Sequence, residues 1–294
     1  MIGGRTIQQR ITDWRQYVDI VLGWSGFRNW AFRGQGDAEW PLRSSLSRLV
    51  QTMQISDEAI REQENRIRRI FKRKAHLFLD DLPQDELEWL ALMQHHGAPT
   101  RLLDLTWSPF VAAFFALERA AVDPAVWAFN LPLMWQNSEG AIDGVDRRTA
   151  DPRRQGVLDD VYLPNKHSFA WQGDPFRMPQ RVVAQAGTFL VMGNLRQTVQ
   201  EIFDGYPGAS KGRGRMQHAL LIQFVFDRAK VRADAMESMY SMNITQSTLF
   251  PGLDGLARSM YYEFEYSWAF DLKTFRRNMP LMDGRVPPDV LDSD

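Results

Sequence analysis

Short apolar runs bounded by turn-forming residues, set between longer amphipathic segments, constrain the fold of this chain most. The clearest run is Ala-Leu-Leu-Ile-Gln-Phe-Val-Phe at 219–226, and 126–129 and 181–192 are similar. Runs of this length and composition indicate buried β-strands. The spacing of apolar residues predicts helices over 6–22, 44–53, 56–79, 85–95, 110–121, 231–242 and 256–275. We therefore expect an α+β fold.

Composition narrows the class of protein. The 294 residues are 44% hydrophobic, so the chain can bury a substantial core. A formal net charge of -1 gives no global attraction to nucleic acid or anionic membranes, although it does not exclude a local basic groove. The absence of cysteine excludes disulfides and thiolate chemistry. Without a signal-peptide core or a run of roughly 20 apolar residues, we expect a soluble, cytoplasmic protein with no membrane partner.

We expect one large domain with additions at both ends. A helix occupies 1–23, the main domain spans 24–279, and a flexible tail follows at 280–294. Within the domain, residues 137–180 are polar, poor in periodicity, and rich in Gly, Asp, Arg and Pro. This composition indicates a long insertion, part of which could fold over a site.

Arg33 is the first candidate site residue. It follows the short aromatic run Trp30-Ala31-Phe32 and precedes Gly34 and Gln35, so it should stand at the end of a buried strand. Burying a guanidinium is unfavourable unless it is paired. The partner could be internal, Asp104 or Asp37, or it could be the phosphate or carboxylate of a ligand. An internal partner and a ligand could also be present together, with Asp104 orienting Arg33 or Arg101.

His95 and His96 are the second candidates. Histidine is scarce, yet these two are adjacent at the predicted end of a helix, before Gly97. Thr100, Arg101 and Asp104 follow within nine residues. The cluster is equally consistent with a functional site and with satisfied polar residues of the core. A metal site is disfavoured, because neighbouring histidines on a helix point in different directions and none has an i, i+4 partner.

Two further segments leave alternatives open. The helix at 56–79 should bury Ile60, Ile67, Ile70, Phe71 and Leu77. Its other face is basic, comprising Arg61, Arg66, Arg68, Arg69, Lys72, Arg73 and Lys74. That face is either simply solvated or contacts phosphates. The segment 180–189 places polar residues in a predicted strand just before a glycine, which alone is a weak signal. Phosphate-binding loops, dinucleotide fingerprints and nucleophile elbows are absent from the sequence.

Several motifs resemble those of the FRG domain. Phe32-Arg33-Gly34-Gln35, followed by Trp40-Pro41-Leu42 and Ser45-Leu46, looks like the motif that names this domain. The stretch Met93-Gln94-His95-His96-Gly97-Ala98-Pro99-Thr100-Arg101-Leu102-Leu103-Asp104-Leu105-Thr106 is similar to its longest signature. The blocks at 185–189 and 249–256 resemble two later motifs, so the resemblance runs from about 24 to 262.

A more remote similarity is to the ADP-ribosyltransferase superfamily, which implies central antiparallel or mixed sheets with surrounding helices and a long insertion. Arg33 looks like the first-strand residue that contacts NAD in that superfamily. Thr106-Trp107-Ser108 with the helix at 111–116 resembles the second element, and 181–191 resembles the third strand. The glutamate usual in that strand is missing, and Arg181 or Gln185 stands there. A site with arginine and histidine in place of the acid resembles the sites of the RNA 2′-phosphotransferase branch of the same superfamily.

The resemblance implies NAD, without a metal, as the molecule used by the site. It implies that Arg33 grips phosphate, His95 acts as acid/base or contacts ribose, Thr106 orients the ligand, and Arg181 or Gln185 completes the pocket. Nucleotide-binding residues would be Arg33, Gly34, Gln35, His96, Arg101 and Asp104.

Three functions remain open at this point. One is a toxin or phage-defence effector that uses NAD to modify nucleic acid or protein and is controlled by an antitoxin or regulatory protein. Another is a non-catalytic nucleotide-sensing module that regulates a partner. The last is a buried polar network of Arg33, His95 and Asp104 that only fixes the fold.

Overall fold

The computed structural model describes residues 6–23, 25–140, 146–206 and 219–265. Within these ranges, seven strands form one mixed sheet in the order β1-β7-β4-β2-β3-β6-β5. The strands are β1 (Thr6–Ile11), β2 (Trp30–Gln35), β3 (Leu102–Thr106), β4 (Ala125–Asn130), β5 (Ala170–Gly173), β6 (Gly187–Met192) and β7 (Leu221–Phe226). Edge strand β1 pairs with β7 in parallel, and every other pairing is antiparallel. The expected α+β class is confirmed.

Eleven helices accompany this sheet within the described residues. They are α1 (Trp14–Gly23), α2 (Ser45–Met53), α3 (Asp57–Ala75), α4 (Glu86–His95), α5 (Pro109–Leu117), α6 (Leu131–Ser138), α7 (Gln180–Ala184), α8 (Val199–Asp204), α9 (Arg228–Ser241), α10 (Gln246–Leu249) and α11 (Leu253–Glu265). A 3-10 turn covers Ser25–Asn29 and a π-helical turn covers Leu158–Tyr162. None of the described helices is both long and apolar enough to cross a membrane.

Both faces of the sheet are buried, each in its own hydrophobic core. Strand β4 shows the alternation: Trp127 and Phe129 enter one core, whereas Val126 and Ala128 enter the other. This is the period of two that a strand imposes on its side chains. The predicted strand at 126–129 is therefore a central strand covered on both sides.

Several helices begin at capping residues. The side chains of Ser44, Ser56, Asp85 and Ser108 each accept a hydrogen bond from a backbone N–H in the first turn of α2, α3, α4 and α5, respectively. Pro109 follows Ser108 at the first helical position of α5, where its missing N–H is harmless. These caps fix the two helices, α2 and α4, that later contribute to the cleft.

The N-terminal segment corrects one prediction. Residues 6–22 are not a single helix, because 6–11 form β1 and only the part after Asp13 is helical. Ile7 and Ile11 fit a helical spacing, but the pairing of this segment with β7 satisfies its backbone polar groups instead. The side chain of Gln8 also donates to Gln223 on β7 at 3.1 Å.

The segment 181–192 corrects a second prediction. Its first part is helix α7, and only Gly187–Met192 are a strand. The change of direction occurs at Ala186, which has a φ of 46°, a left-handed conformation that is strained for alanine. Arg181 and Gln185 therefore stand on and just after a short helix rather than in the sheet.

The outer helix α3 corrects a third prediction. Ile70 and Leu77 are exposed, while Glu64 and Arg68 are buried together with Ile60 and Ala75. Arg68 tolerates burial because it pairs with Glu86 and Asp159, at 3.1 and 2.7 Å. Arg68 thus does not belong to the solvated basic face.

The segment interpreted as an insertion, 137–180, contributes to the main core. It supplies β5 and the π-helical turn, and it buries Leu158, Tyr162 and Trp171. At the other end, α11 begins slightly earlier than the predicted helix at 256–275. The rest of that helix and the tail at 280–294 lie outside the described residues.

Candidate functional site

An open cleft of about 860 Å³ lies where β2 and β3 meet α2, α4 and α7. Its volume is within the range of small-molecule sites in proteins. The residues predicted for the site that line this cleft are Arg33, Gly34, Gln35, His95, Asp104, Thr106, Arg181 and Gln185. The fold thus brings together segments that are about 150 residues apart in sequence.

Strand β2 is held against α5 by the absence of a side chain at Gly34. A Cβ there would lie 2.0 Å from the carbonyl oxygen of Ala112 and 2.6 Å from the backbone nitrogen of Ala116. Both are backbone atoms of α5, so only glycine permits this approach. Beside it, the side-chain oxygen of Gln35 accepts a hydrogen bond from Trp127 at 2.7 Å. Gly34 and Gln35 therefore fix the strand that carries Arg33.

Arg33 is only partly paired by the protein. Its Nη1 donates to the backbone oxygen of Asp104 at 2.6 Å and lies 3.9 Å from Asp104 Oδ2. Its Nε is buried and has no hydrogen-bond partner among the described residues. Burial lowers the pKa of Arg33; the charge of Asp104 opposes this effect, and the charge of Arg48 adds to it. An arginine remains protonated nonetheless, so a charged donor is left incompletely satisfied.

Asp104 is oriented by a short chain of hydrogen bonds. Gln94 on α4 donates to Asp104 Oδ2 at 3.0 Å, and the side-chain oxygen of Gln94 accepts from the Thr100 hydroxyl at 2.6 Å. Thr100 is in turn tied to Ser45 at the start of α2. The internal partner predicted for Arg33 is thus Asp104, and Asp104 is positioned by three neighbouring segments.

His95 ends α4 at the wall of the cleft. Its Nδ1 is buried without a hydrogen-bond partner in the described part of the chain. Burial lowers the pKa of His95, as do the charges of His96 and Arg181. Gly97, with a φ of 79°, and the bond from Ala98 N–H to the Met93 oxygen then terminate the helix. Near neutral pH the imidazole is therefore uncharged and able to accept a proton.

Thr106 joins two parts of the site. Its hydroxyl donates to the backbone oxygen of Gln185 at 2.7 Å and accepts from the backbone N–H of Ser108 at 3.0 Å. The hydroxyl proton is thereby used inside the protein, and what remains for a ligand is an acceptor lone pair. Thr106 mainly positions the junction between α7 and β6 against β3.

Arg181 enters the cleft from α7 and packs on an aromatic ring. Its guanidinium lies 4.3 Å from the centroid of Phe250, and no ion pair to a described residue holds it. Partial burial lowers the pKa of Arg181, whereas the charge of Asp104 raises it. The side chain of Gln185 donates to the Leu249 oxygen at 3.0 Å, so the segment around Phe250 supports both residues.

The charge of the cleft is unbalanced. Arg33, Arg48 and Arg181 line it, and Asp104 is the only carboxylate among its described lining residues. Such a surface favours an anionic ligand. Trp40 stands at its rim with 56% of its surface exposed. Sequence reasoning assigned no role to Arg48 or Trp40, although Arg48 follows Ser45 by three residues and so shares its helix face.

Arg101 and His96 do not line the cleft, contrary to the sequence prediction. Arg101 is fully buried (0% exposed), and its Nε and Nη2 donate to the two carboxylate oxygens of Glu64 at 2.7 and 2.5 Å. Its Nη1 donates to the Met192 oxygen at 2.6 Å. Every nitrogen of this guanidinium therefore has a protein partner. His96 is exposed at the end of α4, where its ring lies edge-on to that of His95.

Among the described residues, no group of three or more His, Asp or Glu side chains is arranged to hold a metal ion. Besides the Asp104 carboxylate and the hydroxyls of Ser45 and Thr106, the polar groups that line the cleft are guanidinium, imidazole and amide groups, whose N–H donors suit an anion.

Comparison with known families supports the first two motifs read from the sequence, whereas the blocks at 185–189 and 249–256 lie outside the match. Residues 28–124 match the family model for the FRG domain. This stretch includes Arg33, Arg48, His95, Asp104 and Thr106 of the cleft but not Arg181 or Gln185. Neither the curated proteins nor the solved structures gave a match. This match covers about a third of the chain, and the matched residues make up most of the lining of the cleft.

Proposed function

We propose that the cleft binds NAD or a related nucleotide by its phosphates, and that the protein is an ADP-ribosyltransferase-like toxin or defence effector. The observation that carries this proposal is the incompletely paired Arg33. Arg33 lines the same cleft as Arg48 and Arg181, where Asp104 is the only carboxylate among the described lining residues, and its buried Nε has no described partner. A buried, charged donor without a partner is unfavourable. A phosphate oxygen would add an acceptor for the exposed part of the Arg33 side chain, which is 21% exposed, and would be attracted by all three guanidinium groups.

The apolar part of the cleft suits the remainder of a nucleotide. Phe32, Leu105, Phe115 and Phe189 contribute to the lining beside the charged groups. Small-molecule sites commonly combine such apolar walls with a few polar groups that fix orientation. The volume of about 860 Å³ is sufficient for a ligand of this size.

His95 would accept a proton in the transfer that we propose. In that reaction the bond between C1′ of the ribose and the nicotinamide nitrogen breaks, and nicotinamide leaves with the bonding electrons. A hydroxyl or amine of the target forms the new bond to C1′ and loses a proton. His95 is suited to take that proton because it lines the cleft and, with its pKa lowered by burial, is uncharged near neutral pH.

An ADP-ribosyltransferase-like arrangement of the sheet belongs to the same proposal. Its support is the convergence of three segments that resemble the superfamily's elements. Arg33 on β2, Thr106 at the end of β3 and Gln185 before β6 all line one cleft. Phe32 is paired with Thr106, and Thr106 is paired with Gly187, so β2, β3 and β6 are neighbours.

A stripe of exposed arginines on α3 favours nucleic acid over protein as the target. Arg66, Arg69 and Arg73 follow one another at helical spacing on the face opposite the buried one, and none is ion-paired to a described residue. The inward-facing cations Arg68 and Lys72, in contrast, both bind Glu86. Arginines along a helix bind phosphate groups well.

A second candidate function is a nucleotide sensor that regulates a partner protein, such as an antitoxin. The observation that favours it is the lack of a glutamate among the described cleft residues, with Asp104 as their sole carboxylate. Thr106 and Gln185 also use their polar groups internally. Such a site would bind NAD without stabilising the positive charge that develops on ribose during transfer.

The experiment is incubation with NAD labelled in its adenylate half, with RNA, DNA or cell lysate as acceptors. Transfer of label to a macromolecule supports the transferase, and a rise in melting temperature without turnover supports the sensor. Arg33→Met should abolish either response. Arg15→Met, an exposed arginine outside the cleft, is the matched control and should change neither. The absence of both labelling and thermal stabilisation in the wild-type protein would refute the proposal.

A further inference from the structure

Trp40 is the largest aromatic side chain exposed in the cleft. Trp40 lines the cleft, as do Pro41 and Arg48, and 56% of its surface is exposed. Among the described residues it makes neither a ring contact nor a cation–π contact, although several other aromatic residues do. Large aromatic side chains normally bury their rings, so an indole left open in a concave site indicates contact with a ligand.

The backbone that presents Trp40 is held firmly. Ala38 donates its N–H to the Asp123 oxygen at 2.9 Å and accepts from the side chain of Gln223 at 2.7 Å. The Trp40 N–H closes a turn to the Asp37 oxygen at 3.3 Å. Pro41 further restricts the backbone of the residue before it. The indole is thus displayed from a rigid turn and is not part of a loose surface loop.

From this geometry we infer that Trp40 is the stacking platform for the adenine base of the bound nucleotide. The inference rests on the proposed function, because the arginines must hold the adjoining phosphates. Aromatic side chains stack on nucleobases through their π-faces, and Arg48, which lines the same cleft, would neutralise phosphate charge. Trp40 stands at the open rim, whereas the reacting ribose must be shielded from water. The rim therefore suits the adenine end, which does not react.

The test measures binding by calorimetry with three probes: ADP-ribose, nicotinamide mononucleotide and inorganic pyrophosphate. Trp40→Ala should weaken ADP-ribose binding roughly 5- to 150-fold, the range that loss of one base-stacking contact implies. Binding of the other two probes should be unchanged. Trp40→Phe should restore most of the affinity for ADP-ribose, because a phenyl ring still stacks. Phe78→Ala, an 82% exposed aromatic outside the cleft, is the control and should have no effect.

The outcomes separate this inference from the proposed function. If the wild-type protein binds ADP-ribose and Trp40→Ala binds it equally well, the stacking role is wrong while the nucleotide site stands. Weakening confined to nicotinamide mononucleotide would overturn the assignment to the adenine end. Equal weakening of pyrophosphate would mean that Trp40 only supports the shape of the cleft. If the wild-type protein binds none of the probes, both conclusions fall.

Discussion

Removing Glu64 should destabilise the protein far more than removing any charge from the cleft. Glu64 is 2% exposed and Arg101 is 0% exposed, and two hydrogen bonds of 2.5 and 2.7 Å join them. Glu64→Leu would leave the Arg101 guanidinium charged and buried with only the Met192 oxygen as partner. Breaking a buried pair in this way costs about 3–5 kcal/mol.

The matched comparison is Arg33→Met, since Arg33 makes one hydrogen bond within the described protein and is not enclosed. Its loss should cost about 1–2 kcal/mol. Urea unfolding followed by circular dichroism measures both effects. With a slope of about 3 kcal/mol per molar urea, Glu64→Leu should lower the midpoint by about 1 M or more, and Arg33→Met by about half that or less.

The double variant Glu64→Leu/Arg101→Met shows whether the loss arises from the pair. Replacing both partners of a buried ion pair by apolar residues is often neutral. The Met192 oxygen would lose its donor, so we expect the double variant to lie within about 2 kcal/mol of wild type. Equal midpoints for Glu64→Leu and Arg33→Met would refute the account of Arg101 as a buried structural residue, as would a double variant no more stable than Glu64→Leu.

Gly34→Ala should destabilise the protein by about 3 kcal/mol because the new Cβ meets backbone of α5, and an unchanged melting temperature would contradict that packing. Burial lowers the pKa of His95 from its ordinary 6.5, so below pH 6.5 the unfolded chain binds a proton that the folded one does not. Stability should therefore fall as the pH drops below 6.5, and less so in His95→Asn; identical pH profiles in urea unfolding would exclude this effect. Changing Arg66, Arg69 and Arg73 together to Gln should weaken RNA or DNA binding. The slope of log affinity against log salt concentration should fall in magnitude by about 2–3, and Arg15→Gln should leave it unchanged. An unchanged slope in the triple variant would show that α3 is not part of the interface.

Local signals predicted much of the helical part of the fold. Ser44, Ser56, Asp85 and Ser108 cap helices because a short polar side chain satisfies a free N–H wherever it occurs. Strand β1 could not be predicted in this way. Ile7 and Ile11 fit either period, and the deciding partner, β7, is more than 200 residues away.

The prediction of where β6 begins was wrong for a different reason. The apolar residues from Arg181 to Ala184 follow neither a helical nor a strand period. The chain then turns at Ala186, whose left-handed conformation is rare for alanine and cannot be predicted from the sequence. This error affects the site directly. The sequence analysis placed Arg181 and Gln185 on a strand, where the superfamily has a glutamate. In the structure Arg181 lies on the short helix α7, so it reaches the cleft from a helix and not from that strand.

Arg33 and Arg101 show why motifs alone could not define the site. Both are arginines next to apolar strand residues, in motifs that resemble the FRG domain. The sequence analysis predicted that both bind the ligand. In the structure each nitrogen of Arg101 donates to a protein oxygen, and its carboxylate partner comes from a separate helix. Arg33 has one such bond and a buried Nε with none among the described residues. A guanidinium that the protein has already satisfied gains little from a phosphate, whereas an incompletely satisfied one gains a strong charged hydrogen bond. The difference between a structural and a binding arginine is therefore the state of its remaining donors, and that depends on residues far away in the sequence.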